Sequence, residues 1–375
     1  MNKRVLMVAT VPSMIGQFNM NNIRILQEMG YAVDVAGDFT DTSVWPEERV
    51  QRFKKQMQDM GIECIQLDFS RSALKLNRHI ESYRETLKLL REKNYSFIHT
   101  HTPVASAIVR QAAHKTGTKV IYTAHGFHFY DGAPLKNWLV FYPIEKHYSR
   151  YTDVLITINK EDYKRASEKF HAKKTVYIPG VGVDTEKFKP RESGRERIRA
   201  ELGLKEKDIL LLSVGELNEN KNHVSVIRAL AGLNVVYVIV GKGEKKEELE
   251  RVGRELGVDV RLVGFRNDVA DFYDAADIYI LPSLREGLNV SLMEAMASGL
   301  PCLAGRIRGN VDLVDEKGGY LFEPRNVDEI REVVGKCVKN RAGMGKYNLR
   351  KIRSFDLTIV DNLTSEIYGG GMSTL

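Results

Sequence analysis

Short apolar runs of roughly four to seven residues recur along the whole chain, each followed by a longer amphipathic stretch, and this alternation constrains the fold more than any other feature. Strands joined through helices run parallel, and the helices then cover both faces of the sheet. In the first half the strand-like runs are residues 4–10, 32–36, 96–100, 119–123 and 154–158. Helices are expected over 20–29, 79–93 and 105–116, the first closed by Gly30 as a left-handed C-terminal residue. The stretch after the first strand, which contains Gly16, reads as a loop. The second half repeats the plan, with strands at 209–214, 235–240, 260–263, 278–281 and 301–304. Its helices are expected at 223–231, 245–256, 269–275, 289–297 and 327–340.

Residues 178–190 hold two prolines and two glycines and read as a linker. A chain of 375 residues is also longer than one core usually supports. The expected fold is therefore α/β, with two doubly wound, Rossmann-like domains facing across a cleft, residues 1–183 and 184–351. The final segment, 352–368, is expected to cross back onto the first domain, leaving 369–375 as a loose tail.

Charge is unevenly placed. Residues 1–180 carry 26 Lys and Arg against 18 Asp and Glu, whereas 181–375 carry 30 against 31. A basic first half suits an anionic partner such as nucleic acid, an anionic membrane surface or a phosphorylated substrate; a mild surface bias explains it equally well. The three cysteines, Cys64, Cys302 and Cys337, show neither metal-binding spacing nor a disulfide framework. No apolar run approaches the ~20 residues that span a bilayer. The N-terminus reads as a first strand, not a signal peptide, so a cytoplasmic location is expected. Residues 138–143 (WLVFYP) read either as a buried helix or as a cluster that touches the membrane.

Polar and glycine residues collect after the strands of the second half, at 215–222, 241–243, 264–267 and 282–287. That is the carboxyl edge, where open α/β sheets bind ligands. The amides of Gly287, Leu288 and Asn289 precede a helix, a position that welcomes phosphate. Ser291, Glu294 and Ser298 form one polar stripe on that otherwise apolar helix. A carboxylate only accepts hydrogen bonds, so Glu294 suits the two hydroxyls of a ribose and Glu286 suits other sugar hydroxyls. The alternative is a Glu294 that points at solvent or pairs with a neighbouring cation. His99 and His101 have the spacing of a metal pair, but no carboxylate cluster completes a site. His125 and His128 flank Gly126 in an aromatic-rich loop. Gly180-Val-Gly182 and Gly241-Lys-Gly243 lack the full nicotinamide-dinucleotide fingerprint.

The pattern from Glu286 through Glu294 to Pro301 resembles the signature of retaining GT-B glycosyltransferases of family 4. The match continues through Ser213-Val-Gly-Glu-Leu217, Lys221, Gly241-Lys-Gly243, Gly264-Phe265 and the run from Ala275 to Ser283. In the first half, the runs 99–103 and 122–131 resemble the bacterial capsule and exopolysaccharide branch, which acts on lipid-linked sugars.

The resemblance implies a nucleotide-sugar donor, a UDP-sugar in particular, and a polyprenyl-diphosphate-linked or saccharide acceptor. It also implies peripheral contact with the cytoplasmic membrane face. Glu294 would bind the ribose and Glu286 the donor sugar, while Lys221 would neutralise the departing diphosphate. Gly215, Gly241 and the amides of Gly287, Leu288 and Asn289 would line the donor site, and the backbone at Phe265 and Arg266 would meet the base. His125 would touch the donor sugar from the opposing domain, and Gly16 would lie near the diphosphate and the acceptor. No metal and no cofactor are expected, and the Asp-x-Asp metal clamp is absent from the sequence. One departure stands out: Glu216 occupies a position where many members carry Arg. Arg285, Arg306 or Arg308 would have to substitute, or Lys221 and the helix N-terminus carry more. Three rival readings remain at this level: a non-hydrolysing sugar-nucleotide epimerase, a non-catalytic two-lobed sugar-binding protein and a nicotinamide dehydrogenase.

Overall fold

The computed structural model describes residues 3–70 and 75–370. The chain divides into two units, Met1–Ile178 with Val360–Leu375, and Pro179–Ile359.

The first unit contains β1 (Arg4–Val8), β2 (Ala32–Gly37), β3 (Glu63–Gln66), β4 (Phe97–Thr100), β5 (Lys119–Ala124), β6 (Val154–Thr157) and β7 (Lys174–Tyr177). All pair in parallel, in the order β3-β2-β1-β4-β5-β6-β7. Val5 and Met7 of β1 pack into the core on one face, Leu6 and Val8 into the core on the other. That two-sided burial is why the central strands read as continuous apolar runs. The second unit repeats the design with β8 (Leu210–Val214), β9 (Val236–Val240), β10 (Val260–Gly264), β11 (Ile278–Leu281), β12 (Cys302–Gly305) and β13 (Gly319–Phe322), in the order β10-β9-β8-β11-β12-β13. Chain order reverses between β1 and β4 and again between β8 and β11. At such a switch point the loops splay apart and leave a crevice.

Three strands escape the sequence reading, and all three are sheet edges: β3, β7 and β13. An edge strand needs little apolar sequence, because one side is unpaired and often carries charge. Glu63 and Gln66 of β3 are exposed, as is Lys174 of β7, so neither strand stands out as an apolar run.

The stretch after β1 is also not a loop. Pro12–Phe18 is helical, with Pro12 in the first turn, where its missing N–H costs nothing. Gly16 lies inside this helix, and a side chain there would run into the Trp45 ring. Packing against Trp45 and Phe53 therefore accounts for that glycine.

The C-terminal helix Leu357–Gly369 returns to the first unit, where Val360, Ile367 and Tyr368 join the core around Val5, Ile23 and Phe97. The 3-10 turn Ile352–Phe355 stays with the second unit, where the carbonyl of Phe355 accepts from the amide of Val183. Residues 371–375 of the expected tail lie outside the described residues. Among the described residues no helix is long and apolar enough to cross a membrane.

Tyr368 stacks on Phe97 with ring centroids 5.7 Å apart, and its hydroxyl lies 2.7 Å from His99 Nδ1. Tyr368→Ala is expected to destabilise the first unit by about 3–5 kcal/mol, as for other large buried aromatics, read by urea unfolding. Tyr368→Phe, which keeps the packing and loses one hydrogen bond, is expected to cost only about 1 kcal/mol.

Candidate active site

In the second unit two loops at the carboxyl edge are stitched together. The amide of Leu284 donates to the carbonyl of Asn220 at 2.8 Å, and Asn220 Nδ2 donates to the carbonyl of Arg285 at 3.0 Å. Asn222 Nδ2 donates to the carbonyls of Pro282 and Pro324. Asn222 is in the left-handed region at φ 52°, a conformation asparagine tolerates better than most residues. These bonds place Lys221 beside Glu286, with Nζ 2.7 Å from Oε1 and both side chains mostly buried.

Two glycines make that placement possible. A side chain on Gly215 would meet Lys221 Cε at 3.2 Å, so the lysine stem lies over bare backbone. A side chain on Gly241, at φ 154°, would collide with the carbonyl oxygen of Gly215. Gly241 thus supports Gly215, and Gly215 supports Lys221.

The helix expected from 289 begins at Val290 and runs to Ala297. Asn289 is its N-cap, its Oδ1 accepting from the amide of Leu292 at 3.0 Å. Gly287 lies against Gly309, whose φ of 80° and close approach to the Gly287 carbonyl both demand glycine. Leu288 is buried and packs against Gly180, so its side chain fills the core and only its backbone can serve a ligand.

Glu294 neither points at solvent nor pairs with a cation at bonding distance. Its Oε2 accepts from the Tyr273 hydroxyl at 2.8 Å. Burial raises its carboxyl above the ordinary glutamate value, while Tyr273 and Lys187 act the other way. Ser291 Oγ lies 2.7 Å from the Tyr279 hydroxyl and 2.7 Å from Asn289 Oδ1, so the serine ties the helix start to β11. Ser298 Oγ has no partner among the described residues.

Phe265, just beyond β10, is 64% exposed. The Arg266 guanidinium is held by Glu201 and Asp268, so it has no charge to spare and only its backbone remains available. Of the arginines considered as substitutes at Glu216, Arg308 donates to the carbonyl of Glu286 at 3.2 Å and helps shape that loop. Arg306 turns to the Leu321 carbonyl and Glu329. Arg285 is exposed. Glu216 itself accepts from Asn218.

In the first unit His99, His101 and His125 are gathered at the ends of β4 and β5. His99 Nδ1 lies 2.7 Å from the Tyr368 hydroxyl, and its Nε2 lies 2.8 Å from Thr123 Oγ1. His101 Nε2 lies 2.9 Å from Met7 Sδ, and its Nδ1 lies 3.2 Å from His125 Nε2. Burial lowers all three, His99 to about 3 and His125 to about 4, so each is neutral at pH 7. A thioether only accepts, so His101 carries its proton on Nε2 and its Nδ1 is a bare acceptor. His125 must then donate from Nε2, which leaves its Nδ1 lone pair for a ligand. All four ring nitrogens of His99 and His101 are thereby occupied, which is a hydrogen-bonded string and not a metal pair.

Comparison with known proteins decides the family. Residues 16–187 match the model for Glycosyltransferase Family 4, and residues 194–351 match that for Glycosyl transferases group 1. EpsD of Bacillus subtilis, which carries a glycosyltransferase name, is 34% identical over 340 residues, 86% of this chain and 84% of that protein. The chain belongs to glycosyltransferase family 4. The UDP-Gal:alpha-D-GlcNAc-diphosphoundecaprenol alpha-1,3-galactosyltransferase of Escherichia coli is 32% identical over 269 residues, 68% of this chain and 69% of that enzyme. Among solved structures, HepE from Anabaena in complex with UDP-glucose aligns with a TM-score of 0.77 at 20% identity, over 99% of this chain and 100% of that one. The protein is thus a GT-B glycosyltransferase with relatives in polysaccharide biosynthesis.

Several residues that shape this glycosyltransferase's candidate site were not singled out from the sequence. Tyr273 sits on a short helix where an aromatic reads as core. Asn222 looks like an ordinary polar loop residue. Met7 looks like strand filling. Each becomes visible only through what it touches.

Glu294→Gln is expected to raise the melting temperature of the enzyme at pH 7. A carboxyl with a raised folded pKa contributes stability below its unfolded pKa, and that contribution is lost as pH rises through the folded value. The variant should therefore flatten the wild-type decline in thermal melts above the ordinary glutamate range. The histidines behave oppositely in sense. With lowered folded values, they should cost the first unit stability as pH falls from about 6.5 toward about 4, measured by denaturant titration across that window.

Proposed function

We propose that this glycosyltransferase moves a hexose or N-acetylhexosamine from a UDP-sugar to a lipid-linked or saccharide acceptor in cell-surface polysaccharide assembly, with retention at the anomeric carbon. The observation that carries the reading is the Lys221–Glu286 pair at 2.7 Å beside the amides of Gly287 and Leu288. In this proposal the diphosphate enters and takes Lys221 from Glu286. Lys221 then meets the charge that grows on the leaving group, and Glu286 is released to accept from hydroxyls of the donor sugar. Glu294, already desolvated and held by Tyr273, accepts from the ribose. Exposed Phe265 and the backbone of Arg266 meet the base. His125 offers its bare Nδ1 to a donor-sugar hydroxyl.

The anomeric carbon–oxygen bond to the diphosphate breaks as the acceptor oxygen attacks from the same face. The acceptor proton passes to the departing phosphate oxygen. Lys221 and the backbone amides are proposed to stabilise that oxygen without a metal or other cofactor. Two comparisons favour a UDP-sugar and a lipid-linked acceptor: the Escherichia coli relative is named for UDP-Gal and a diphosphoundecaprenol acceptor, and the Anabaena structure holds UDP-glucose.

Melting with UDP, GDP, ADP and NAD separately, followed by mass spectrometry of transfer from UDP-sugars to a lipid-diphosphate sugar, tests the proposal. UDP is expected to stabilise most. Lys221→Ala is expected to lower kcat by about 10²–10³-fold, the loss typical of one transition-state donor, and Glu286→Gln to lower kcat as well. Near wild-type turnover in both variants, or stabilisation by NAD alone, would overturn it.

A further inference from the structure

His101 and His125 form a pair that, taken alone, could carry its protons either way round. Both rings are neutral at pH 7, because burial holds them below the ordinary histidine value. A neutral imidazole has one N–H and one lone pair, and the 3.2 Å contact between His101 Nδ1 and His125 Nε2 needs one of each. In one arrangement His125 donates across the contact and shows a lone pair at Nδ1. In the other it accepts, and its Nδ1 carries the proton. The two arrangements offer opposite hydrogen-bonding character to a ligand at the carboxyl edge of the first sheet.

Most neighbours leave that choice open. The hydroxyls of Tyr368 and Thr123, at 2.7 and 2.8 Å from the two nitrogens of His99, can each donate or accept. His99 lies against His101 with ring centroids 4.0 Å apart, but its nitrogens are taken by those hydroxyls. Met7 is different. Its Sδ lies 2.9 Å from His101 Nε2, and a thioether has no proton to give. Sheet register brings the two together. Met7 pairs with His99 across β1 and β4, and His101 follows two residues later, its amide still bonded to the Val8 carbonyl of β1. Met7 and His101 are both buried, so water does not stand in for the sulfur.

We propose that Met7 is a positioning residue that sets the polarity of His125. Acting through His101, it keeps His125 Nδ1 a bare acceptor, and so selects a ligand that brings a hydroxyl or N–H to that point. A leucine would fill the same space as Met7 at little packing cost. It would leave the His101 Nε2 proton without an acceptor, and moving that proton to Nδ1 avoids an unpaired buried N–H. His125 would then turn from acceptor to donor. With Met7 in place, a sugar hydroxyl fits the site, and a group that has lone pairs alone, such as a carboxylate, does not. The effect on transfer rests on the reading that His125 meets the donor sugar; the proton arrangement does not.

Two measurements test it. Multiple-bond ¹⁵N–¹H correlation spectra of the full-length protein with ¹⁵N-labelled histidine, at pH 7, read each tautomer directly. His101→Asn and His125→Asn assign the signals. Wild type is expected to carry the proton on Nε2 in both rings, and Met7→Leu to move His125 toward Nδ1–H. Values of kcat/KM with singly deoxyfluorinated UDP-sugars read the consequence, because fluorine cannot donate. At one ring position wild type should lose about tenfold more than Met7→Leu, each relative to its parent sugar. A wild-type His125 protonated at Nδ1, or a folded Met7→Leu protein with unchanged tautomers, would overturn the proposal. Expected tautomers with equal fluorine losses at every position would overturn the contact with the donor sugar and leave the proton arrangement standing.

Discussion

The ion pair between Lys221 and Glu286 depends on more of the second unit than any other contact in the candidate site. The lysine reaches its place because Gly215 leaves room for its stem, and Gly215 can lie there because Gly241 has no side chain to push it away. The loop that carries Lys221 is held in a left-handed turn by Asn222, which reaches two carbonyls on neighbouring loops. Arg308 holds the backbone of Glu286 from another direction. A flexible lysine on a surface would spend most of its time hydrated and elsewhere. Here the rotamer entropy is lost on folding, so under the proposed donor binding it need not be lost again.

Most of the fold was legible in the sequence, because a parallel strand buried on both faces must be apolar throughout. β1, β4, β8 and β11 meet that condition and stand out as runs. The strands that did not, β3, β7 and β13, lie at edges where half the hydrogen-bonding surface is unpaired and burial is partial. The helix Pro12–Phe18 was hidden for a different reason. A glycine in its middle lowers helix propensity, and the rings of Trp45 and Phe53, about thirty residues or more away in sequence, explain why no larger residue is there.

The site was legible to the extent that a residue type alone carries the chemistry. Lys221 was marked only by the family resemblance, whereas a glutamate inside an apolar helix announces itself. What holds them does not. The Tyr273 hydroxyl on Glu294 and the Met7 sulfur on His101 come from residues whose composition signal is simply hydrophobic. Their polar atoms act at one end of a side chain that is otherwise core. Long-range partners of this kind are set by topology: β1 lies beside β4, so Met7 and His101 meet although 94 residues separate them.

The glutamate at 216 shows how the same elements tolerate a change of charge. Glu216 is exposed, and its carboxylate accepts from neighbouring Asn218. It therefore imposes little on Lys221, whose partner is Glu286 and whose stem rests on Gly215. Of the nearby arginines, Arg308 is committed to the Glu286 carbonyl, exposed Arg306 reaches Glu329 at 3.9 Å, and Arg285 is exposed on the loop that carries Glu286. An exposed arginine adjacent to a buried ion pair keeps its side-chain freedom. Any second cation supplied by the 282–287 loop would thus come from Arg285, at the cost of ordering a long side chain that the unliganded fold leaves in solvent.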